Sequence, residues 1–180
     1  YLRKHHSGAR ALVVGEGPLI DELKRHDIRV TDDPERADVV VVSWDRDFTY
    51  EKLQKAYIAA VRGAELVGTN PDATCPMPCY DLPDAACMIA ALEACADRKV
   101  DPIVGKPSSI MVNEALDLLG VDPERAALVG DRPQTDLMMA RRAGIDFVLV
   151  LSGVTKRGHL GDLPAEPDAI IEDVGAFTEL

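Results

Sequence analysis

The sequence predicts an α/β fold built on parallel β-sheets. Its short apolar runs, such as Val39–Val42 and residues 147–151, are too brief for helices and stop at turn-forming residues, which is typical of buried strands. Between these runs, apolar residues recur at three- and four-residue intervals, as in residues 50–62, and this spacing predicts amphipathic helices. An alternation of strand and helix indicates a parallel sheet covered by helices.

The first hundred residues contain a full series of such elements. Predicted strands cover residues 12–14, 28–30, 39–42 and 66–67, and predicted helices cover residues 18–26, 50–62 and 84–96. Gly15 and Gly17 begin a string similar to a dinucleotide-binding fingerprint, but Ile20 stands where the third glycine belongs. We therefore interpret this stretch as a strand-to-helix turn. The proline-rich residues 73–84 are predicted to form a loop.

The remaining residues continue the same pattern. Predicted strands cover residues 102–104, 126–129, 147–151 and 167–171. Ser108 or Ser109 is predicted to cap a helix that ends at Gly120. Its apolar face is predicted to comprise Met111, Ala115, Leu118 and Leu119. Thr135 is predicted to cap a second helix that ends at Gly144, and the last helix is predicted at residues 174–180.

Charged side chains follow two of these predicted strands at the point where each strand ends. Lys106 comes after the strand at 102–104, and Asp131 and Asp136 come after the strand at 126–129. We expect the two strands to be adjacent, and ligands of open α/β sheets bind beyond the carboxyl ends of the strands. A lysine ammonium suits phosphate, and carboxylate oxygens are ligands that Mg²⁺ prefers. The pattern therefore favours a phosphoryl-transfer site over three solvated surface charges.

Four short strings resemble motifs of the haloacid-dehalogenase (HAD) superfamily. Residues 105–108 read GKPS, residues 129–136 read VGDRPQTD, residues 149–154 read LVLSGV and residues 68–72 read GTNPD. Together they are similar to one branch, which contains the p-nitrophenyl, phosphoglycolate and pyridoxal-phosphate phosphatases and the NagD-like sugar phosphatases. The resemblance implies a HAD-like Rossmannoid parallel-sheet core with an α/β cap domain, and Mg²⁺-dependent hydrolysis of a small phosphorylated metabolite.

The resemblance also assigns roles to individual residues. Lys106 would be a catalytic residue that binds the transferring phosphoryl group, and Asp131 would be catalytic as a Mg²⁺ ligand. Asp136 would orient the metal site from behind Asp131. Asn70 and Asp72 would contact the substrate from the cap, although an Asn-Pro-Asp string also builds a simple turn.

The nucleophile of such an enzyme is the first aspartate of a DxDG motif, and no such string occurs in the 180 residues. We expect the motif to precede residue 1, so that residues 1–100 form the cap and residues 101–180 form a core that is incomplete at its N-terminus. Asp45 follows a valine strand and resembles the nucleophile, but Phe48 replaces the glycine of the motif and a helix follows at once. We therefore expect Asp45 to order a cap loop. A non-catalytic binding protein with this fold is the alternative.

Composition excludes several classes of partner. With 31 acidic and 20 basic residues, the chain has a formal net charge of −11, which repels nucleic acids and anionic membranes. No apolar run reaches the roughly 18 residues that a membrane span needs. The four cysteines contain no CxxC pair, so we expect reduced thiols rather than zinc in a cytoplasmic protein. By resemblance to the branch, a homodimer through the cap is expected.

Overall fold

The computed structural model describes residues 1–179, which divide into two compact units. The first unit comprises Tyr1–Val104 and the second begins at Gly105. Each contains a parallel sheet with helices, so the predicted α/β class is confirmed. The identification of the units as cap and core stays a prediction. No helix among residues 1–179 is long and apolar enough to cross a membrane.

A four-stranded parallel sheet forms the centre of the first unit. Its strands are β1 (Arg10–Val14), β2 (Arg29–Val30), β3 (Val39–Val42) and β4 (Glu65–Gly68), in the order β2-β1-β3-β4. Its helices are α1 (Leu2–His5), α2 (Gly17–Arg25), α3 (Tyr50–Val61) and α4 (Ala85–Ala96). Val14 pairs with Val42, and Val42 pairs with Gly68, so β1, β3 and β4 end at the same edge of the sheet.

Alternate residues of β3 supply the two apolar cores of this unit. Val40 and Val42 belong to a cluster that includes Leu66 and buried side chains of α3 and α4. Val39 and Val41 belong to a second cluster on the other side, with Leu2, Ala11 and Val67. All four valines are buried, as expected for a central strand that is covered on both faces.

Two features of the first unit differ from the prediction. Residues 73–84 are not only loop, because β5 (Thr74–Cys75) and β6 (Leu82–Pro83) form a two-stranded antiparallel hairpin. The predicted strand at 102–104 forms a single parallel bridge from Ile103 to Gly68 and extends the sheet beside β4. The expectation that it lies beside the strand before Asp131 is therefore wrong. Two backbone hydrogen bonds hold residues 102–104 against β4. The N–H of Gly68 donates to Pro102 O at 3.0 Å, and the N–H of Val104 donates to Gly68 O at 2.8 Å.

A three-stranded parallel sheet forms the centre of the second unit. Its strands are β7 (Ala127–Gly130), β8 (Asp146–Val150) and β9 (Ala169–Ile171), in that order. Its helices are α5 (Ile110–Leu119) and α6 (Met138–Ala143), and a turn of π-helix at Pro133–Leu137 leads into α6. Short 3₁₀ segments lie at Pro123–Arg125, Arg157–Asp162 and Val174–Glu179. The last occupies the predicted closing helix, whose final residue, Leu180, lies outside the described residues.

The predicted apolar face of α5 is wrong. Val112 and Leu116 are the buried residues of this helix, and they pack in a cluster with Leu137, Phe147 and Leu149. Met111, Leu118 and Leu119 are exposed instead. Helix α5 carries apolar residues around most of its circumference, so the three- and four-residue spacing is satisfied on more than one side.

The predicted capping role of Thr135 is also wrong. Thr135 lies inside the π-helical turn, and its hydroxyl donates a hydrogen bond to Arg132 O at 3.3 Å. The backbone N–H of Asp136 donates to the same carbonyl at 2.7 Å. The sequence signal for a cap was misleading because the wider turn starts before Thr135, at the buried Pro133.

We predict that alanine substitutions of two leucines in α5 differ sharply in their effect on the free energy of unfolding. Leu116 is 8% exposed and Leu118 is 88% exposed. Replacement Leu116→Ala is expected to lower the free energy of unfolding by about 2–5 kcal/mol, because it leaves a cavity in the core. Leu118→Ala is the matched control and is expected to change it by no more than about 0.5 kcal/mol. Urea unfolding followed by circular dichroism measures both; equal effects would contradict the orientation of α5.

Candidate active site

Asp131 is the first residue after β7, and its conformation is set by the chain segment that leaves β8. The backbone N–H of Val154 donates to Asp131 Oδ2 at 2.7 Å, and the N–H of Thr155 donates to Asp131 O at 3.2 Å. Among residues 1–179, no hydrogen bond engages Asp131 Oδ1. One carboxylate oxygen is thus fixed by the protein, and the other is available to a ligand.

Asp136 is a buried carboxylate whose two oxygens are both engaged. Its Oδ2 accepts a hydrogen bond from the N–H of Arg132 at 3.0 Å, and its Oδ1 lies 3.0 Å from Lys106 Nζ. The Asp136 side chain is 8% exposed, whereas the Lys106 side chain is 41% exposed. Lys106 therefore compensates a buried negative charge, although its own side chain is partly exposed to solvent.

The close approach of Asp136 to its own strand explains the glycine that ends β7. A Cβ atom added to Gly130 would lie 2.6 Å from Asp136 Oδ2 and 2.8 Å from its Cγ. Both separations are too short for a Cβ atom, so a side chain at this position would displace Asp136. The glycine thus makes room for the carboxylate to turn back against β7.

The segment that carries Lys106 is held by hydrogen bonds to its backbone carbonyl groups, with both donors in the second unit. The N–H of Ser108 donates to Gly105 O at 2.9 Å, which closes a tight turn around Lys106. Arg142 of α6 donates a hydrogen bond to Pro107 O at 3.0 Å. These contacts direct Lys106 to the turn that follows β7, so the structure brings Lys106 and Asp136 together as the motif order suggested.

The donor set fits a Mg²⁺ site only in part. Mg²⁺ prefers six oxygen ligands and usually takes one or two of them from carboxylates. Asp131 offers a free carboxylate oxygen, while Asp136 is paired with Lys106 and can support the site from behind. No cluster of three or more histidine, cysteine or carboxylate side chains able to hold a metal occurs within residues 1–179. Further ligands would be water, substrate or another segment.

Asn70 and Asp72 belong to the first unit, where they follow β4. The Asn70 amide donates to Asp72 Oδ2 at 2.9 Å and to Asp84 Oδ1 at 3.2 Å, and its own oxygen accepts a hydrogen bond from the Thr69 hydroxyl at 2.9 Å. The amide of Asn70 thus orders the loop, as the turn interpretation expects. A substrate contact by either residue stays a prediction.

Sequence reasoning missed Asp84 as a partner in this network. Asp84 is buried and accepts a hydrogen bond from the N–H of Ala85 at 2.5 Å, so it caps α4 while it also accepts from Asn70. An aspartate just before a helix is a strong capping signal, but its contact with a residue fourteen positions earlier leaves no local mark.

Asp45 is not accessible to a substrate in this structure. It is 1% exposed, and Lys52 Nζ lies 2.9 Å from its Oδ1 and 2.7 Å from its Oδ2. The N–H of Asp47 also donates to Oδ1 at 3.0 Å. These contacts support the prediction that Asp45 orders its loop, because both oxygens are committed to neighbouring groups.

A second ion pair braces the same loop from outside. Arg46 donates to Glu16 Oε1 at 2.6 Å and to Oε2 at 2.8 Å, and these hydrogen bonds lower the pKa of Glu16 to about 2. The guanidinium also lies 5.0 Å from the ring centroid of Trp44, whose indole N–H donates to Pro83 O at 2.8 Å. The loop after β3 is thereby connected to Glu16, the residue that precedes α2, and to Pro83 of β6.

Comparison with known proteins supports the family assignment that the sequence motifs suggested. A HAD-hydrolase-like family model matches residues 103–177. The ribonucleotide monophosphatase NagD of Escherichia coli K12 is 35% identical over 175 residues, which are 97% of this chain and 67% of NagD. The sugar-phosphatase AraL of Bacillus subtilis is 32% identical over 180 residues, which are 100% of this chain and 65% of AraL. The chain thus spans about two thirds of the length of these relatives.

Solved structures match the fold over the same extent. The p-nitrophenyl phosphatase from Archaeoglobus fulgidus has a TM-score of 0.94 and 32% identity, and the match covers 99% of this chain and 69% of that protein. NagD from Escherichia coli gives a TM-score of 0.84 at 31% identity, with 96% of this chain and 67% of NagD covered. These matches include both units, and the chain therefore belongs to the HAD-like hydrolases, in the branch that contains NagD and the p-nitrophenyl phosphatases.

Proposed function

We propose that the protein is a Mg²⁺-dependent phosphatase that hydrolyses the phosphomonoester of a small metabolite through an aspartyl-phosphate intermediate. The observation that carries this proposal is the pairing of Lys106 with buried Asp136, in the turn that begins with Asp131. The named relatives support the reaction class, since they include a sugar phosphatase, a ribonucleotide monophosphatase and p-nitrophenyl phosphatases.

Lys106 has the geometry of a group that binds a phosphoryl oxygen. Its ammonium is anchored by Asp136, and the side chain as a whole is 41% exposed, so a substrate can approach it without breaking the ion pair. A fixed cation at this point stabilises the negative charge that the nucleophile and the phosphoryl group bring together. Asp136 holds the Lys106 ammonium in position and thereby acts on the substrate indirectly.

Asp131 has the geometry of a metal ligand. Its Oδ2 is occupied by the N–H of Val154, which leaves Oδ1 for the ion. When bound, Mg²⁺ would supply charge neutralisation at the transferring phosphoryl group. Asp131 and Asp136 are therefore the metal-site residues of the proposal, the first in contact with the ion and the second behind it.

We further propose that the nucleophile lies outside these 180 residues. The chain contains no DxDG string, and Asp45, its nearest substitute, is buried and bonded to Lys52. The first unit would then be the cap, with Asn70 and Asp72 as candidate substrate contacts and with a surface through which a homodimer can form. The substrate is expected to be a small phosphorylated metabolite, because the relatives named above include a sugar phosphatase and a ribonucleotide monophosphatase.

The second candidate function is non-catalytic binding of a phosphorylated metabolite. The absence of a DxDG string within these residues is the observation that favours it. Both candidates use Lys106 in the same way, so they differ only in whether a bond to phosphorus is made.

We predict that the 180-residue chain does not hydrolyse p-nitrophenyl phosphate in the presence of Mg²⁺. The same chain, extended by the sequence encoded immediately upstream in its gene, is expected to hydrolyse it. Asp131→Asn in the extended protein is the control and is expected to abolish the Mg²⁺-dependent rate. Activity of the 180-residue chain that disappears in its Asp131→Asn variant would contradict the proposal, since a nucleophile would then lie within it.

We also predict that Lys106→Ala lowers kcat of the extended protein by about 10²- to 10³-fold or more, because it removes a fixed positive charge from the transition state. Lys99→Ala is the matched control: Lys99 is an 84% exposed lysine that pairs with Glu93, and its loss is expected to leave kcat unchanged. Steady-state kinetics with p-nitrophenyl phosphate measures both. An unchanged kcat in Lys106→Ala, at retained stability, would rule out the role.

A further inference from the structure

The segment that leaves β8 holds Asp131 at both its side chain and its main chain. Val154 donates its N–H to Oδ2 at 2.7 Å, and Thr155 donates its N–H to the carbonyl oxygen at 3.2 Å. Thr155 is itself buried, at 5% exposure. Two successive amides thus fix a residue more than twenty positions earlier in the chain.

Gly153 completes this contact by having no side chain. A Cβ atom added to Gly153 would lie 2.0 Å from Asp131 Oδ2 and 2.5 Å from its Cβ and Cγ atoms. The backbone of Gly153 is outside the left-handed region, so an alanine there meets no conformational obstacle of its own. The three atoms nearest to the added Cβ all belong to Asp131, so the closest conflict of such a substitution is with the side chain of Asp131.

The segment is itself well anchored, which allows it to impose a position on Asp131. The pairing of Gly130 with Leu149 brings the exits of β7 and β8 side by side. The N–H of Leu151 donates to Ile171 O at 3.1 Å, and Lys156 Nζ donates to the carbonyl oxygens of Leu151 and Ser152, each at 3.4 Å. Contacts on both sides of Gly153 thus restrain the segment.

We propose that residues 153–155 are a positioning clamp, which holds the Asp131 side chain in one rotamer and directs Oδ1 to the ligand. The clamp as a steric device stands on the contacts above, and its effect on Mg²⁺ rests on the proposed function. Gly153 is a positioning residue in this account, since it touches neither substrate nor metal and acts through Asp131 alone.

The steric part is tested by a double-mutant cycle on the thermal unfolding midpoint of the 180-residue chain. Gly153→Ala is expected to lower Tm in the wild-type background and to have no effect in an Asp131→Gly background, where the conflicting atoms are gone. Gly161→Ala is the matched control, because an added Cβ there meets nothing within 4 Å. An equal loss of Tm in both backgrounds, or no loss in either, would overturn the clamp.

The positioning part is tested by following the backbone amide resonance of Val154 in two-dimensional NMR during titration with Mg²⁺ alone. The wild type and Gly161→Ala are expected to give the same Mg²⁺-dependent shift, and Gly153→Ala is expected to weaken the apparent affinity by about 10- to 100-fold. Equal affinities in all three would overturn the clamp. If the wild type does not respond to Mg²⁺ while the stability cycle shows coupling, the clamp stands and the proposed metal site fails.

Discussion

The burial of one carboxylate, Asp136, governs the arrangement of the second unit. An ionised carboxylate away from water is very unfavourable unless it is paired and hydrogen-bonded. Lys106 supplies the opposite charge at 3.0 Å, and the Arg132 N–H supplies a hydrogen bond at 3.0 Å. To satisfy both, the chain must turn sharply after Gly130 and must bring the segment at Lys106 to the end of β7. The geometry of the candidate site follows from this requirement.

In the first unit, the corresponding polar side chains form hydrogen bonds and ion pairs with one another. Asp45 is enclosed by Lys52 and the N–H of Asp47, and Asn70 is saturated by Thr69 and two aspartates. In the second unit, by contrast, Lys106 and Asp131 each keep one side free of protein partners within the described residues. A functional site needs polar groups that are free to bind a ligand. Lys106 and Asp131 meet this requirement, whereas Asp45, which resembles a nucleophile in sequence, does not.

The sequence was informative where a local pattern has one physical solution. The four valines of β3 are apolar on both sides of the strand, and only a strand covered on both faces buries them all. The sequence also indicated that Lys106 would lie near the carboxylates that follow β7, and Lys106 does contact Asp136, although the strand adjacency from which this was argued is wrong. Prediction from sequence failed where the structure depends on contacts between residues that are far apart in the chain. Helix α5 is apolar around most of its circumference, so packing rather than periodicity selects Leu116 over Leu118. The pairing of Ile103 with Gly68 and the contact of Val154 with Asp131 join residues far apart in the chain, and neither leaves a local signal.

The most direct test of this account is a backbone NMR titration of the 180-residue chain with Mg²⁺ and inorganic phosphate together. The chain contains the proposed phosphate-binding residue, Lys106, and the proposed metal ligand, Asp131, whether or not it is catalytically active. Binding can therefore be measured separately from turnover. We predict that the perturbed resonances cluster at Lys106 and in residues 130–136, with little change around Asp45. Perturbations centred on the loop that contains Asp45, or none at Lys106, would contradict the claim that the turn after β7 is the phosphoryl site.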